Sequence, residues 1–153
     1  MFVSVFASIA GMYLFLNALM PKQKRAPFLG TVFYVYAPVR FINLYVSGSI
    51  GASLAMGIIP FVFWSVFDVY KGKPWAIPAG SVFLSFLIIS HNVTAMIFSP
   101  VLVIFSLVLI LGSENKKQLF GKIFLMAFLG FGLSAFFWIP SIIEKKYIVY
   151  ASV

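Results

Sequence analysis

Residues 75–111 read WAIPAGSVFLSFLIISHNVTAMIFSPVLVIFSLVLIL, 37 positions without an Asp, Glu, Lys or Arg, broken by the polar triplet Ser90, His91 and Asn92. One helix of that length would measure about 55 Å at about 1.5 Å per residue, far more than a hydrocarbon core of about 30 Å. The stretch therefore folds back on itself at the triplet. Its two limbs are expected to form a hairpin of membrane helices carrying an imidazole and an amide at its tip.

The rest of the chain agrees. Apolar residues make up 63% of its 153 positions, charged residues 9%, and the mean hydropathy is +1.09. A soluble domain carries about 25% charged residues, so too few are present here to build a wetted surface. The 19 Phe and the lack of alternating polar and apolar positions disfavour an outer-membrane barrel. Helices then remain as the way to satisfy the backbone in lipid. The fold class read from the sequence is all-α, a polytopic membrane bundle of about six transmembrane helices forming a single domain over residues 1–153.

Candidate spans are residues 2–20, 28–39, 50–67, 75–89, 94–111 and 123–139. No basic region precedes the first and no small-residue cleavage site follows it, so it reads as a retained span rather than a signal peptide. The second is short, bounded by Pro27 and Pro38; it needs a thinned bilayer, a continuation through residues 41–46, or a re-entrant path. Small residues four apart, such as Ser53 and Gly57 or Gly51 and Ala55, mark the third span as central, because they let helix backbones approach closely in lipid.

A net charge of +8 could suggest nucleic acid, but the cations form short clusters between apolar runs, so their role is topological. Six crossings place Lys22, Lys24, Arg25, Lys71, Lys73, Lys116, Lys117 and Lys122 on one side and Arg40, Lys145 and Lys146 on the other, eight against three. A re-entrant second segment gives six against five. Cations stay on the cytoplasmic side, which favours the first solution and sets His91 and both termini outside.

Common catalytic constellations are missing. The chain has one His, three acids and no Cys, and neither GxxxxGK[ST] nor GxGxxG occurs; no metal site and no cofactor are expected. Three places invite a function. His91 with Asn92 could orient a phosphate or relay a proton, or could simply close the hairpin, with Asn92 or Thr94 capping the next helix and the imidazole bonded to a freed carbonyl. Arg40 lies among Tyr34, Tyr36 and Tyr45, where a guanidinium suits a lipid phosphate or snorkels to head groups. Glu144, Lys145 and Lys146 follow the last span, as a ligand or base with phosphate-binding lysines or as a solvated stop.

Three blocks together, YAPVRFINLYV at residues 36–46, LIISHNVTA at 87–95 and GLSAFFWIP at 132–140 ending at Glu144, resemble a bacterial membrane family labelled 6-pyruvoyl-tetrahydropterin synthase-related. That family is similar to the multi-span GT-C glycosyltransferases. The resemblance implies a bacterial plasma-membrane protein that transfers a sugar from a polyprenyl-phosphate donor on the outer face. Arg40, Lys145 and Lys146 would then hold phosphates, His91 and Asn92 would shape the pocket, and Glu144 would be a ligand or base.

There are departures. The family pattern carries an Arg and a Glu near Ser47 and Ala52 and frequently an acid at Asn43, and GT-C enzymes place an essential acid after their first span, where residues 21–27 hold none. Members are usually several hundred residues long; the chain reads as a piece of a longer protein in preference to a degenerate copy, and is expected to be inactive alone. The competing readings are a transporter or lipid flippase segment, which Pro38, Pro60 and Pro100 suit, and a non-catalytic assembly subunit.

Overall fold

The computed structural model describes residues 2–23 and 25–144, all of whose regular structure is helical. The elements are α1 (Phe2–Leu19), α2 (Arg25–Val35), α3 (Pro38–Phe41) running into a π-helical turn (Ile42–Val46), α4 (Ile50–Tyr70), α5 (Ala76–Ser90), α6 (Asn92–Leu111), α7 (Lys116–Leu133) and α8 (Ala135–Glu144).

The hairpin expected from residues 75–111 is present. His91 is extended, with φ −163° and ψ 98°, and separates α5 from α6. The count of about six spans is met only in part. Three helices, α1, α4 and α6, are long and apolar enough to cross a membrane, and α7 with α8 makes a fourth across a 58° bend. Proline explains the short second segment: Pro38 forces Ala37 out of the helical region and opens α3 at its first position, leaving α2 with 11 residues, about 17 Å. At 15 residues α5 is also short of a full span.

The last segment differs from expectation at both ends. Its helix begins at Lys116, so three lysines lie within it, and it breaks at Ser134. The Ser134 hydroxyl lies 3.1 Å from the carbonyls of both Gly130 and Phe131, back-bonding that bends helices. Past the bend, Trp138 Nε1 donates to the Phe131 carbonyl at 3.1 Å.

As the small residues suggest, α4 is the centre: 61% of its apolar window is buried, against 6% for α6. It packs on α1, α5, α6 and α7. Gly57 makes the close approach to α1, since a Cβ there would lie 3.0 Å from the Ser4 carbonyl. Two apolar clusters fill the interior, one around Ala55, Ile59, Val62 and Leu84, the other around Val66, Val69, Ala76 and Met126. The Phe120, Phe124 and Phe128 rings stack along the outside of α7, exposed as lipid-facing residues should be.

Contacts between elements define two ends of the bundle. At one, Lys71 Nζ donates to the carbonyl of Ala18 near the close of α1 at 2.6 Å, and the α4–α5 and α6–α7 turns line a shared cleft. At the other, Gly51 meets the hairpin tip, where a Cβ would lie 2.5 Å from the Ser90 carbonyl. They are called the lysine end and the histidine end below.

Candidate functional site: a polar cleft at the histidine end

The histidine end brings together residues far apart in the chain. Gly48, with φ +58°, turns the backbone out of the π-helical segment, and Ser49 caps α4, its Oγ accepting the Ala52 N–H at 3.2 Å. This puts the positive end of a 21-residue helix beside a cleft of about 340 Å³ lined by Ser4, Asn43, Gly48, Ser49 and Ser53 together with Ile50 and Leu54. Among the described residues no carboxylate lines it.

Arg40 is not the outward-facing residue expected from its tyrosine-rich surroundings. It is 4% exposed and donates from Nη2 to Ser8 Oγ on α1, while the Ser8 hydroxyl donates to the carbonyl of Ser4 at 2.7 Å. The guanidinium lies 5.9 Å from the centre of the Tyr34 ring, and its Nε is buried without a hydrogen-bond partner. Tyr34 in turn donates to the Met56 carbonyl at 2.6 Å, and Asn43 Nδ2 lies 3.5 Å from Met56 Sδ. The strap formed by α3 and the π-helical turn is thus pinned to α1 by Arg40 and to α4 by Asn43. A charged group held this way has an incomplete set of partners, a costly arrangement in a low-dielectric interior.

His91 reaches the same end through Gly51, whose added Cβ would lie 3.5 Å from the imidazole Cδ2. Its role in the turn differs from expectation. His91 itself, rather than Asn92 or Thr94, caps α6: Nδ1 accepts the Thr94 N–H at 3.1 Å and lies 2.8 Å from Thr94 Oγ1. An accepting Nδ1 puts the ring proton of the neutral imidazole on Nε2. The ring is bonded to an amide, not to a freed carbonyl.

Asn92 is exposed and lines a separate cavity of about 360 Å³, otherwise almost wholly apolar, that runs between α4, α5, α6 and α7 past Phe63, Leu87, Met96, Leu102 and Phe131. Glu144 is exposed at the end of α8, and no ion pair among the described residues joins it to the cleft. Lys145 and Lys146 lie outside the described residues. Among the described residues no three His, Asp or Glu side chains form a group that could hold a metal.

The sequence reading passes over Ser4 and Ser8 and takes Ser49 and Ser53 only as packing residues. Ser49 carried a usable signal, a capping residue just ahead of an apolar run, and Ser4 with Ser8 show the four-residue spacing of a packed face. Neither signal indicates which helix supplies the partner.

In comparisons with known proteins, no curated protein and no solved structure matches the chain significantly. One family does, described as the 6-pyruvoyl-tetrahydropterin synthase related domain, a membrane protein, and the match covers residues 1–151. The chain, a bundle of apolar helices with a polar cleft at one end, belongs to that membrane protein family.

Proposed function

We propose that the chain is the membrane core of a GT-C-like glycosyltransferase that takes its sugar from a polyprenyl-phosphate donor. The observation that carries this reading is a cleft whose described lining holds hydroxyls and an amide but no carboxylate, backed by the buried, incompletely satisfied Arg40, which is linked to the cleft residue Ser4 through Ser8. Such a site favours an anion with sugar-like polar groups around it. The apolar cavity beginning at Asn92 offers a neighbouring path for a hydrocarbon tail.

In this reading Arg40 and the α4 N-terminus stabilise the charge that develops on the departing lipid phosphate, an electrostatic role fulfilled before the reaction begins. His91, beside Gly51, shapes the rim, and Asn92 shapes the mouth of the apolar cavity. Lys145 and Lys146 would add positive charge, and Glu144 is the carboxylate available as ligand or base if α8 or a partner segment brings it inward. Since no acid lines the cleft, the isolated chain should bind donor without turning it over.

The reading also carries a topology of six crossings in a bacterial plasma membrane, with the histidine end outside. A reporter in the α6–α7 turn should behave as cytoplasmic and one beside His91 as extracytoplasmic.

Farnesyl phosphate and farnesol, compared as ligands of the detergent-solubilised chain, test the site directly. Binding of the phosphate but not the alcohol, lost on Arg40→Gln, is expected. Equal binding of both, or retention in the variant, refutes it. A flippase segment, favoured by the proline-broken strap over the cleft, would instead move the labelled phosphate across proteoliposomes.

A further inference from the structure

We infer a second site, at the lysine end: the cleft between the α4–α5 and α6–α7 turns holds the phosphate head group of an anionic phospholipid. The cleft encloses about 440 Å³, and its lining includes Tyr70, Lys71, Glu114, Asn115, Gln118 and Lys122. It sits where α4 and α6, two helices of full span length, both end, which is the depth of lipid phosphates.

The charge balance there is specific. Lys71 belongs to the wall but its ammonium is committed to the Ala18 carbonyl, and Lys73 is paired with Asp68 at 3.0 Å. That pair is the one ion pair among the described residues. Lys122 in the cleft, and Lys116 and Lys117 exposed beside it, therefore have no carboxylate partner, and Glu114 is the single acid lining the site. Lys71 and Lys122 line the cleft against one acid, and Lys116 and Lys117 add charge on its flank.

The surplus is made worse by where it lies. Lys116 and Lys117 are the first two residues of α7, whose first turn contains no acid. Cations at a helix N-terminus oppose the backbone dipole, so the arrangement is self-repelling until an anion enters. Basic pockets between membrane helices accept lipid phosphates on these terms, and a cleft flanked by two spans is reached from the bilayer.

The full chain in nanodiscs of phosphatidylcholine with a minor fraction of phosphatidylglycerol supplies the test, with retained phosphatidylglycerol counted by native mass spectrometry. Lys122→Gln should weaken retention about fivefold, the effect of one cation near an anionic surface. Lys122→Arg should restore it, and Lys22→Gln, which removes a charge outside the cleft, should leave it unchanged. Equal losses in the Lys22 and Lys122 variants would mean a diffuse surface field and overturn the site. So would displacement of the lipid by inorganic phosphate, which would make the ligand a soluble anion. If Lys122→Gln does not fold, unchanged retention in Glu114→Gln, expected to bind more tightly, overturns it instead.

Discussion

Tyr34 Oη donates a 2.6 Å hydrogen bond to the carbonyl of Met56, the oxygen that Pro60 deprives of its helical partner four residues on. Proline has no N–H to offer, and in lipid the orphaned carbonyl has no water to turn to. One side chain from α2 therefore repairs α4 and fastens the two helices together. A second helix-interior proline is handled locally: Pro100 frees the Met96 carbonyl, and Ser99 Oγ donates to it at 2.8 Å.

Tyr34→Phe should destabilise the bundle by about 1–2 kcal/mol, the cost of leaving a buried acceptor unpaired. Reversible unfolding in mixed micelles measures it. In a Pro60→Ala background residue 60 regains its N–H, so the same Tyr34→Phe change should cost much less. Equal costs in both backgrounds would show that the hydroxyl is not serving the proline.

Arg40→Met separates stability from binding. The guanidinium is buried and incompletely bonded, and replacing such a charge with an apolar chain of similar length is often neutral or stabilising. Ser8 keeps its bond to Ser4. Unfolding stability should hold or rise while farnesyl phosphate binding disappears; a variant that loses both together would make Arg40 a structural residue.

His91→Ala should cost about 1 kcal/mol through loss of the α6 cap, and His91→Asn, which can accept the same Thr94 N–H, should recover most of it. Hydrogen exchange at the first turn of α6 reads the effect locally. If the imidazole also serves a ligand, Asn will restore stability without restoring binding.

The hairpin was legible because its two signals are local: a charge-free run too long for one span, and a polar triplet inside it. The central place of α4 was legible from its small residues. Less was visible where the decisive partner is distant. Arg40 reads as an interfacial residue among tyrosines, and only Ser8, 32 positions earlier and packed against it, turns it inward. The π-helical turn at Ile42–Val46 has no compositional mark, and the bend at Ser134 follows from a hydroxyl bonding back along its own helix. The cap at His91 is not legible in the sequence because histidine is not among the usual capping residues.

Lys73→Met should be the most damaging of the loop substitutions. Asp68 is 0% exposed and Lys73 is 45% exposed, so the pair, at 3.0 Å, is half open to solvent on one side and closed on the other. Its net worth falls below that of a fully buried pair because the lysine is screened. Removing the lysine nevertheless strands a carboxylate whose other oxygen, Oδ1, already lacks a partner. We expect a loss of about 2 kcal/mol, between the surface and buried limits. Asp68→Asn with Lys73→Met should recover part of it by removing the stranded charge, and the recovery is read from the same unfolding curves. A double variant no more stable than Lys73→Met would show that the lysine acts through its packing over the Trp75 ring, 5.7 Å away, rather than through its charge.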